Sequence, residues 1–121
     1  MLVIGAAPQL VAAALARGVP VTVMVRRAAP QPAGVRVVTG DVKFAASLAE
    51  ALEGETVVVS ALRGGSPVAR LSLDALIAGM RTAGVRRLIA VSGELDDAVR
   101  ASGLDWSLVP NPVAALDTLG A

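Results

Sequence analysis

The chain has 121 residues, of which 55% are hydrophobic and 17% charged, and this balance excludes an intrinsically disordered polypeptide. Eleven basic and ten acidic residues give a net charge of +1. No basic stripe with aromatic neighbours appears, so we expect no nucleic-acid partner. The absence of Cys, His and Tyr excludes disulfides, thiolate and imidazole catalysis and the usual zinc sites.

Strand-like and helix-like segments alternate along the whole chain. In chain order we predict a strand at 1–4, a helix at 9–17, strands at 21–25 and 35–39, a helix at 45–52, a strand at 56–60, a helix at 67–83, a strand at 87–91, a helix at 94–101, a strand at 106–109 and a helical turn at 113–119. Gly54 and Gly84 are typical helix stops, and Pro67 is typical of a helix start.

The long helix at 67–83 carries its apolar residues at helical spacing. These are Leu71, Leu73, Leu76, Ile77 and Met80, and they predict a broad buried face. No apolar run reaches the roughly 18–20 residues of a membrane span, and no signal peptide is visible. We therefore expect one cytoplasmic domain over residues 1–121, with no membrane partner.

Apolar strands that alternate with helices are typical of a parallel sheet covered on both faces. We predict an α/β three-layer sandwich with a doubly wound, mostly parallel, Rossmann-like sheet and the strand order 3-2-1-4-5-6. Ligands of such sheets bind beyond the carboxyl ends of the strands, at the switch point between strands 1 and 4. The loops that follow strands 1 to 5 are therefore the candidate site.

A family resemblance rests on six segments that follow one another from Met1 to about Pro112. They are LVIGA, ALARGVPVTVMVRR, GVRVVTGDV, SLAEALEGETVVVSAL, AGMRTAGVRRLIAVS and ASGLDWSLVP. Together they resemble the atypical short-chain dehydrogenases/reductases of the NmrA-like, NAD(P)H-binding kind. The resemblance implies a cofactor site formed by Gly5, Ala6, Ala7, Arg26, Arg27, Asp41, Val42, Ala61, Leu62 and Ser92.

The first of these loops departs from the family pattern. Gly5 matches the first glycine of G-x-x-G-x-x-G, but the second and third glycines have no counterpart, and the segment up to Gly18 is about four residues short. A pyrophosphate is held by backbone N–H groups at a helix N-terminus, and Pro8 has none. Either this is a shortened phosphate turn that binds NADP(H) weakly, or Gly5 ends a strand and Pro8 starts a helix.

Two further loops have a cofactor interpretation and a structural one. In the resembling family an Arg after the second strand pairs with the 2′-phosphate of NADP, and the guanidiniums of Arg26 and Arg27 suit that dianion. Two exposed arginines that end a strand are the alternative. Asp41 and Val42 lie near the adenine in the family, whereas Asp41 is also suited to capping the next helix or shaping the turn after Gly40.

The loops after strands 4 and 5 are similarly ambiguous. Ala61 and Leu62 resemble the loop on the cofactor's ribose side, and residues 63–66 form either an anion-binding nest or a surface loop. Ser92 stands where relatives place a catalytic Ser or Thr, but the Tyr and Lys partners are missing, so we assign no catalytic residue. The alternative for Ser92 is a strand-ending hydroxyl or a helix N-cap.

The remaining polar and aromatic residues are given structural roles. Glu94, Asp96 and Asp97 are expected in the first turn of a helix rather than around a metal ion. Trp106 is expected in the core.

Three functions stay open from the sequence. The first is a reduced module that binds NADP(H) or another nucleotide without catalysis. The others are a degenerate or engineered scaffold that acts by association, and an NADPH-dependent reductase. A mean hydropathy of +0.67, with a C-terminus that ends where relatives continue, predicts a dimer with an apolar patch near the last strand.

Overall fold

The computed structural model describes residues 1–119, in which strands alternate with helices except between the second and third strands. The elements are β1 (Leu2–Ile4), α1 (Pro8–Ala16), β2 (Thr22–Val25), β3 (Arg36–Thr39), α2 (Ala45–Leu52), β4 (Val57–Ser60), α3 (Pro67–Ala83), β5 (Arg87–Val91), α4 (Asp96–Arg100), β6 (Asp105–Val109) and a C-terminal 3-10 helix (Pro112–Thr118). Within this part of the chain, no helix combines the length and the apolar character needed to cross a membrane.

The six strands form one sheet in the order β3-β2-β1-β4-β5-β6, and every neighbouring pair is parallel. This confirms the predicted fold class and strand order. The crossovers leave β1 in opposite directions, so β1 and β4 are the central pair and the switch point lies between them.

The sheet buries side chains on both faces because successive residues of a strand point to opposite sides. Leu2 and Ile4 of β1 belong to the layer packed under α2, α3 and α4, whereas Val3 belongs to the layer packed under α1 and the 3-10 helix. No helix follows β2, so the face of the sheet that is covered by α1 and the 3-10 helix has less cover over β3. On that strand Val37 is 41% exposed.

Helix α3 begins and ends at the predicted residues. The Ser66 hydroxyl accepts a hydrogen bond from the Ala69 N–H at 3.2 Å, and Gly84 ends the helix in the left-handed region with φ 75°. Leu71 was expected on the buried face but is 60% exposed, and Ser72 is buried instead. The reason is the helical period, which places Leu71 roughly 200° around the helix from Leu73.

The expectation that Trp106 lies in the core is wrong, since this residue is 38% exposed. Trp106 is on β6, in register with Leu88 of β5, and β6 is an edge strand with a neighbour on one side only. The helix that packs beside β6 on this face, α4, has only five residues and leaves the ring partly uncovered.

Candidate functional site

The turn after β1 brings two backbone segments into close contact. Gly5 has φ +92°, and a Cβ atom placed there would lie 3.0 Å from the carbonyl carbon of Ala61 and 3.1 Å from its oxygen. The Ala61 N–H donates to the Ile4 oxygen at 2.8 Å, which holds the ends of β1 and β4 together. Glycine is therefore required at position 5 both for its conformation and for its lack of a side chain.

Helix α1 begins only three residues later, at Pro8, and offers few backbone donors at its N-terminus. Its first internal hydrogen bond runs from the Val11 N–H to the Ala7 oxygen at 3.1 Å, and Ala7 has no side chain that caps the helix. Helix geometry leaves the N–H groups of Gln9 and Leu10 without intrahelical partners, while Pro8 has no N–H.

A cavity of about 400 Å³ opens beside this turn, beyond the carboxyl ends of β1, β2 and β3. It lies at the edge of the sheet where the fold predicted a ligand. Among the predicted site residues, those that line it are Gly5, Ala6, Ala7, Arg26, Asp41, Val42 and Leu62. Its volume is within the range of small-molecule sites.

Asp41 is the electrostatic centre of the first cavity. Its side chain is 16% exposed, its Oδ2 atom lies 3.5 Å from Arg26 Nε and 3.8 Å from Lys43 Nζ, and its Oδ1 atom accepts the Lys43 N–H at 2.9 Å. Because one carboxylate lies between two cations, Arg26, Asp41 and Lys43 together carry a net positive charge. Asp41 thus shapes the turn after Gly40, and the proposed helix cap is wrong because α2 follows Phe44 without a side-chain cap.

Three predicted residues lie outside this cavity: Ser92, which lines a second cavity, and Arg27 and Ala61, which line neither. The Arg27 side chain is exposed and lines neither cavity of the site. Ala61 is buried against Gly5 and contributes backbone packing rather than a cavity wall.

A second cavity of about 440 Å³ lies beyond β4, β5 and β6, and Leu62 lines both cavities. Its other walls include Arg63, Gly64, Ser92, Glu94 and Pro110. Ser66, at the end of the loop that was proposed as an anion nest, caps α3 through its hydroxyl, and the anion-nest interpretation of residues 63–66 stays a prediction. Glu94 also lies beside this loop, where a Cβ atom on Gly65 would come within 3.8 Å of it.

Ser92 and Asp96 form a hydrogen-bonded pair at the rim of the second cavity. The Ser92 hydroxyl and Asp96 Oδ2 are 2.8 Å apart, and the Gly93 N–H donates to Asp96 Oδ1 at 2.8 Å. The pKa of Asp96 is lowered below the 3.8 of a free aspartate. The largest cause is the hydrogen bond from the Gly93 N–H, followed by the Ser92 hydroxyl and the charge of Arg100. The interpretation of Ser92 as an N-cap is wrong, because Leu95 precedes α4.

Two of the three acidic residues near α4 occupy the positions expected from the sequence, whereas Glu94 precedes the helix and lines the second cavity. Asp96 and Asp97 lie in the first turn of the helix, where its dipole favours negative charge. Residues 1–119 contain no group of three His, Cys, Asp or Glu side chains arranged to hold a metal ion.

Sequence reasoning missed two polar residues of the first cavity, Gln31 and Ser72. Ser72 had a signal, because it interrupts the buried apolar stripe of α3 in phase with Leu76. Gln31 stands between two prolines in the long loop after β2, where no periodic pattern marks it.

The NAD(P)H-binding family model matches residues 5–95 of this chain. The chain belongs to the NAD(P)H-binding family. This confirms the resemblance inferred from the sequence, while the finer placement among NmrA-like proteins stays a prediction. A comparison with curated proteins finds no significant match.

Solved structures support the same fold. A Rossmann-fold NAD(P)-binding family protein from Shigella flexneri is 26% identical with a TM-score of 0.72, over 88% of this chain and 64% of that one. A short-chain dehydrogenase/reductase from Veillonella parvula is 18% identical with a TM-score of 0.74, over 88% of this chain and 66% of that one. An NADPH-dependent quinone oxidoreductase from Escherichia coli, complexed with NADPH, is 20% identical with a TM-score of 0.69, over 89% of this chain and 47% of that one. At these two lower identities the likeness shows the fold alone, and the chain spans less than two thirds of each structure.

Replacing Gly5 with Ala should destabilise the protein more than replacing Gly64 with Ala. Both glycines have φ near +90°, but only Gly5 faces another backbone at 3.0 Å, while nothing lies within 4 Å of Gly64. Each change carries about 1–2 kcal/mol of conformational strain, and overpacking adds about 1–3 kcal/mol at Gly5. Urea unfolding measures the difference. Equal losses for the two variants would contradict the role given to the Ala61 contact.

The stabilising effect of Asp96 should depend on pH. Its folded-state pKa is lowered, so the carboxylate stabilises the fold above the unfolded-state pKa, and this stabilisation is lost as the pH falls through the folded-state pKa. Asp96→Asn should therefore lower the free energy of unfolding near pH 7, and the gap to the native chain should shrink below about pH 4. Asp97→Asn, at a fully exposed side chain, is the control. A gap that stays constant from pH 7 to pH 2 contradicts this assignment.

Proposed function

We propose that the chain is a reduced NAD(P)-binding module that binds NADP(H), or another adenine nucleotide, weakly and has no independent catalytic activity. The observation that carries the proposal is the first cavity. It stands at the switch point, is bounded by Gly5 and the start of α1, and has Arg26 at its rim. In this fold that position receives the adenosine half of a dinucleotide.

The residues fit the two halves of the cofactor unequally. On the adenosine side, the cavity offers apolar walls from Val42 and Leu62, and Arg26 provides a cation for the 2′-phosphate. On the pyrophosphate side, the short turn and Pro8 leave few N–H donors. Weak binding follows from this shortage, because each hydrogen bond to a charged group contributes about 1.5–3 kcal/mol.

Two features support the absence of catalysis. A carbonyl reductase needs a side chain that transfers a proton near neutral pH, and the chain has no His, Tyr or Cys. Lys43, its one lysine, pairs with Asp41 beside the first cavity, and Ser92 pairs with Asp96 beside the second. When bound, NADPH would supply a hydride, but no neighbouring group is placed to complete the reduction.

Association is the second candidate function, and exposed apolar side chains favour it. Trp106 on the edge strand β6 and Val113 on the 3-10 helix are 38% and 36% exposed, close to where the sequence predicted an apolar patch. Trp106 and Val113 lie on opposite faces of the sheet, and a dimer that covers the Trp106 face of β6 is the form we propose. Light scattering that gives only a monomer mass up to millimolar concentration would overturn it.

Any bound dinucleotide should favour NADP(H) over NAD(H), and the preference should depend on Arg26 rather than Arg27. A charge-assisted contact to the 2′-phosphate contributes roughly tenfold to a hundredfold in affinity. Arg26→Ala should abolish the difference in affinity between NADP(H) and NAD(H). The matched control is Arg27→Ala, at an exposed side chain outside both cavities, which should keep that difference. Calorimetric titration of the three chains with both cofactors measures it. Equal affinities of the native chain for NADPH and NADH contradict the prediction.

Lengthening the first turn should strengthen binding. Four residues inserted after Ala7, to give a G-A-x-G-x-x-G turn, restore N–H donors to the pyrophosphate site. We expect NADPH affinity to improve roughly a hundredfold from a starting Kd no better than about 0.1 mM. An insertion of the same length without glycines is the control. Micromolar binding by the unmodified chain, or no gain in a folded repaired chain, contradicts the proposal.

A further inference from the structure

The backbone donors at the carboxyl end of β5 are already engaged within the protein. The Ser92 N–H donates to the Val109 oxygen at 2.8 Å, and the Gly93 N–H donates to Asp96 Oδ1 at the same distance. These two residues line the second cavity, so neither main-chain N–H remains for a ligand at this rim. What the rim presents to a ligand depends on the Ser92 hydroxyl.

The direction of the Ser92–Asp96 hydrogen bond follows from the chemistry of its two groups. The pKa of Asp96 is held below its ordinary value, so the carboxylate is ionised at neutral pH and can only accept hydrogen bonds. The Ser92 hydroxyl has one hydrogen, and it must donate that hydrogen to Asp96 Oδ2 at 2.8 Å. Only the lone pairs of Ser92 remain free, which makes this rim a hydrogen-bond acceptor.

We infer that the second cavity receives a ligand group with N–H donors, a primary carboxamide, with Ser92 as its acceptor and Asp96 as the residue that positions the Ser92 hydroxyl. The inference rests on the proposed function, in which the carboxamide belongs to the nicotinamide of NADP(H).

The same geometry opposes carbonyl reduction at Ser92. A reduced carbonyl develops negative charge on its oxygen, and that charge is stabilised by hydrogen-bond donors aimed at it. Ser92 presents lone pairs instead, with an ionised carboxylate behind them. The residue in the position of a catalytic serine is thus oriented to hold a cofactor amide rather than a substrate oxygen.

An isosteric change at Asp96 tests the direction of the bond. In Asp96→Asn, the side-chain oxygen can still accept the Gly93 N–H, which directs the new NH₂ group towards Ser92. The Ser92 oxygen then accepts, and its hydrogen is free to point into the cavity. The rim changes from an acceptor to a donor with almost no change in shape.

The ligands for the experiment are NADP⁺ and its 3-acetylpyridine analogue, which keeps the carbonyl oxygen but has a methyl group in place of the amide nitrogen. Calorimetric titration of the full chain should show the carboxamide form binding roughly 3- to 10-fold more tightly. Ser92→Ala should bind the two forms equally. Asp96→Asn should lose the preference or reverse it.

Asp97→Asn is the matched control, because it removes one charge from the same helical turn at a side chain that is fully exposed. It should keep the native preference, and circular dichroism checks that every variant is folded. Equal binding of the two forms by the native chain overturns the inference and leaves the nucleotide proposal standing, as does an Asp96→Asn variant with unchanged preference. Failure of the native chain to bind either dinucleotide overturns both.

Discussion

The contact between Gly5 and Ala61 is the constraint on which the arrangement of the site depends. It joins the ends of β1 and β4, the two strands from which the crossovers of the sheet diverge. Because no side chain separates the two backbones, the first cavity forms on one side of this contact and the second on the other, with Leu62 lining both. A larger residue at position 5 would displace both cavity walls at once.

Much of the fold could be predicted because local signals and long-range packing agree. Pro67 predicted the start of α3 and Gly84 its end, and the structure has both boundaries there. The strand order followed from the handedness of crossovers rather than from any single residue. The error at Trp106 occurred because its burial depends on how far α4 extends, which composition does not reveal. The error at Leu71 is different, because the helical period alone places it away from Leu73.

The site was less accessible from sequence, because its chemistry depends on contacts between loops. The loops at strand ends were the right place to look, and seven of the predicted residues line the first cavity. The pairing of Arg26 with Asp41 joins the ends of β2 and β3, and its partners are set by strand register. The bond from Ser92 reaches Asp96, the first residue of α4, across the turn after β5, so the pairing became evident only from the structure.

Because no helix packs over one face of β3, ligand binding at the end of this strand is coupled to whether β3 stays paired with β2. This strand has one buried residue, Val38, and no helix packs over Val37, so β3 has little apolar burial to resist local opening. Yet Asp41, two residues past the end of β3, pairs with Arg26, which directly follows β2. In the proposed complex, a nucleotide at this pair would bind only when the edge is closed, and by mass action it would shift the population towards the closed form. Occupancy of the cavity would thereby also protect an exposed strand edge from pairing with other chains.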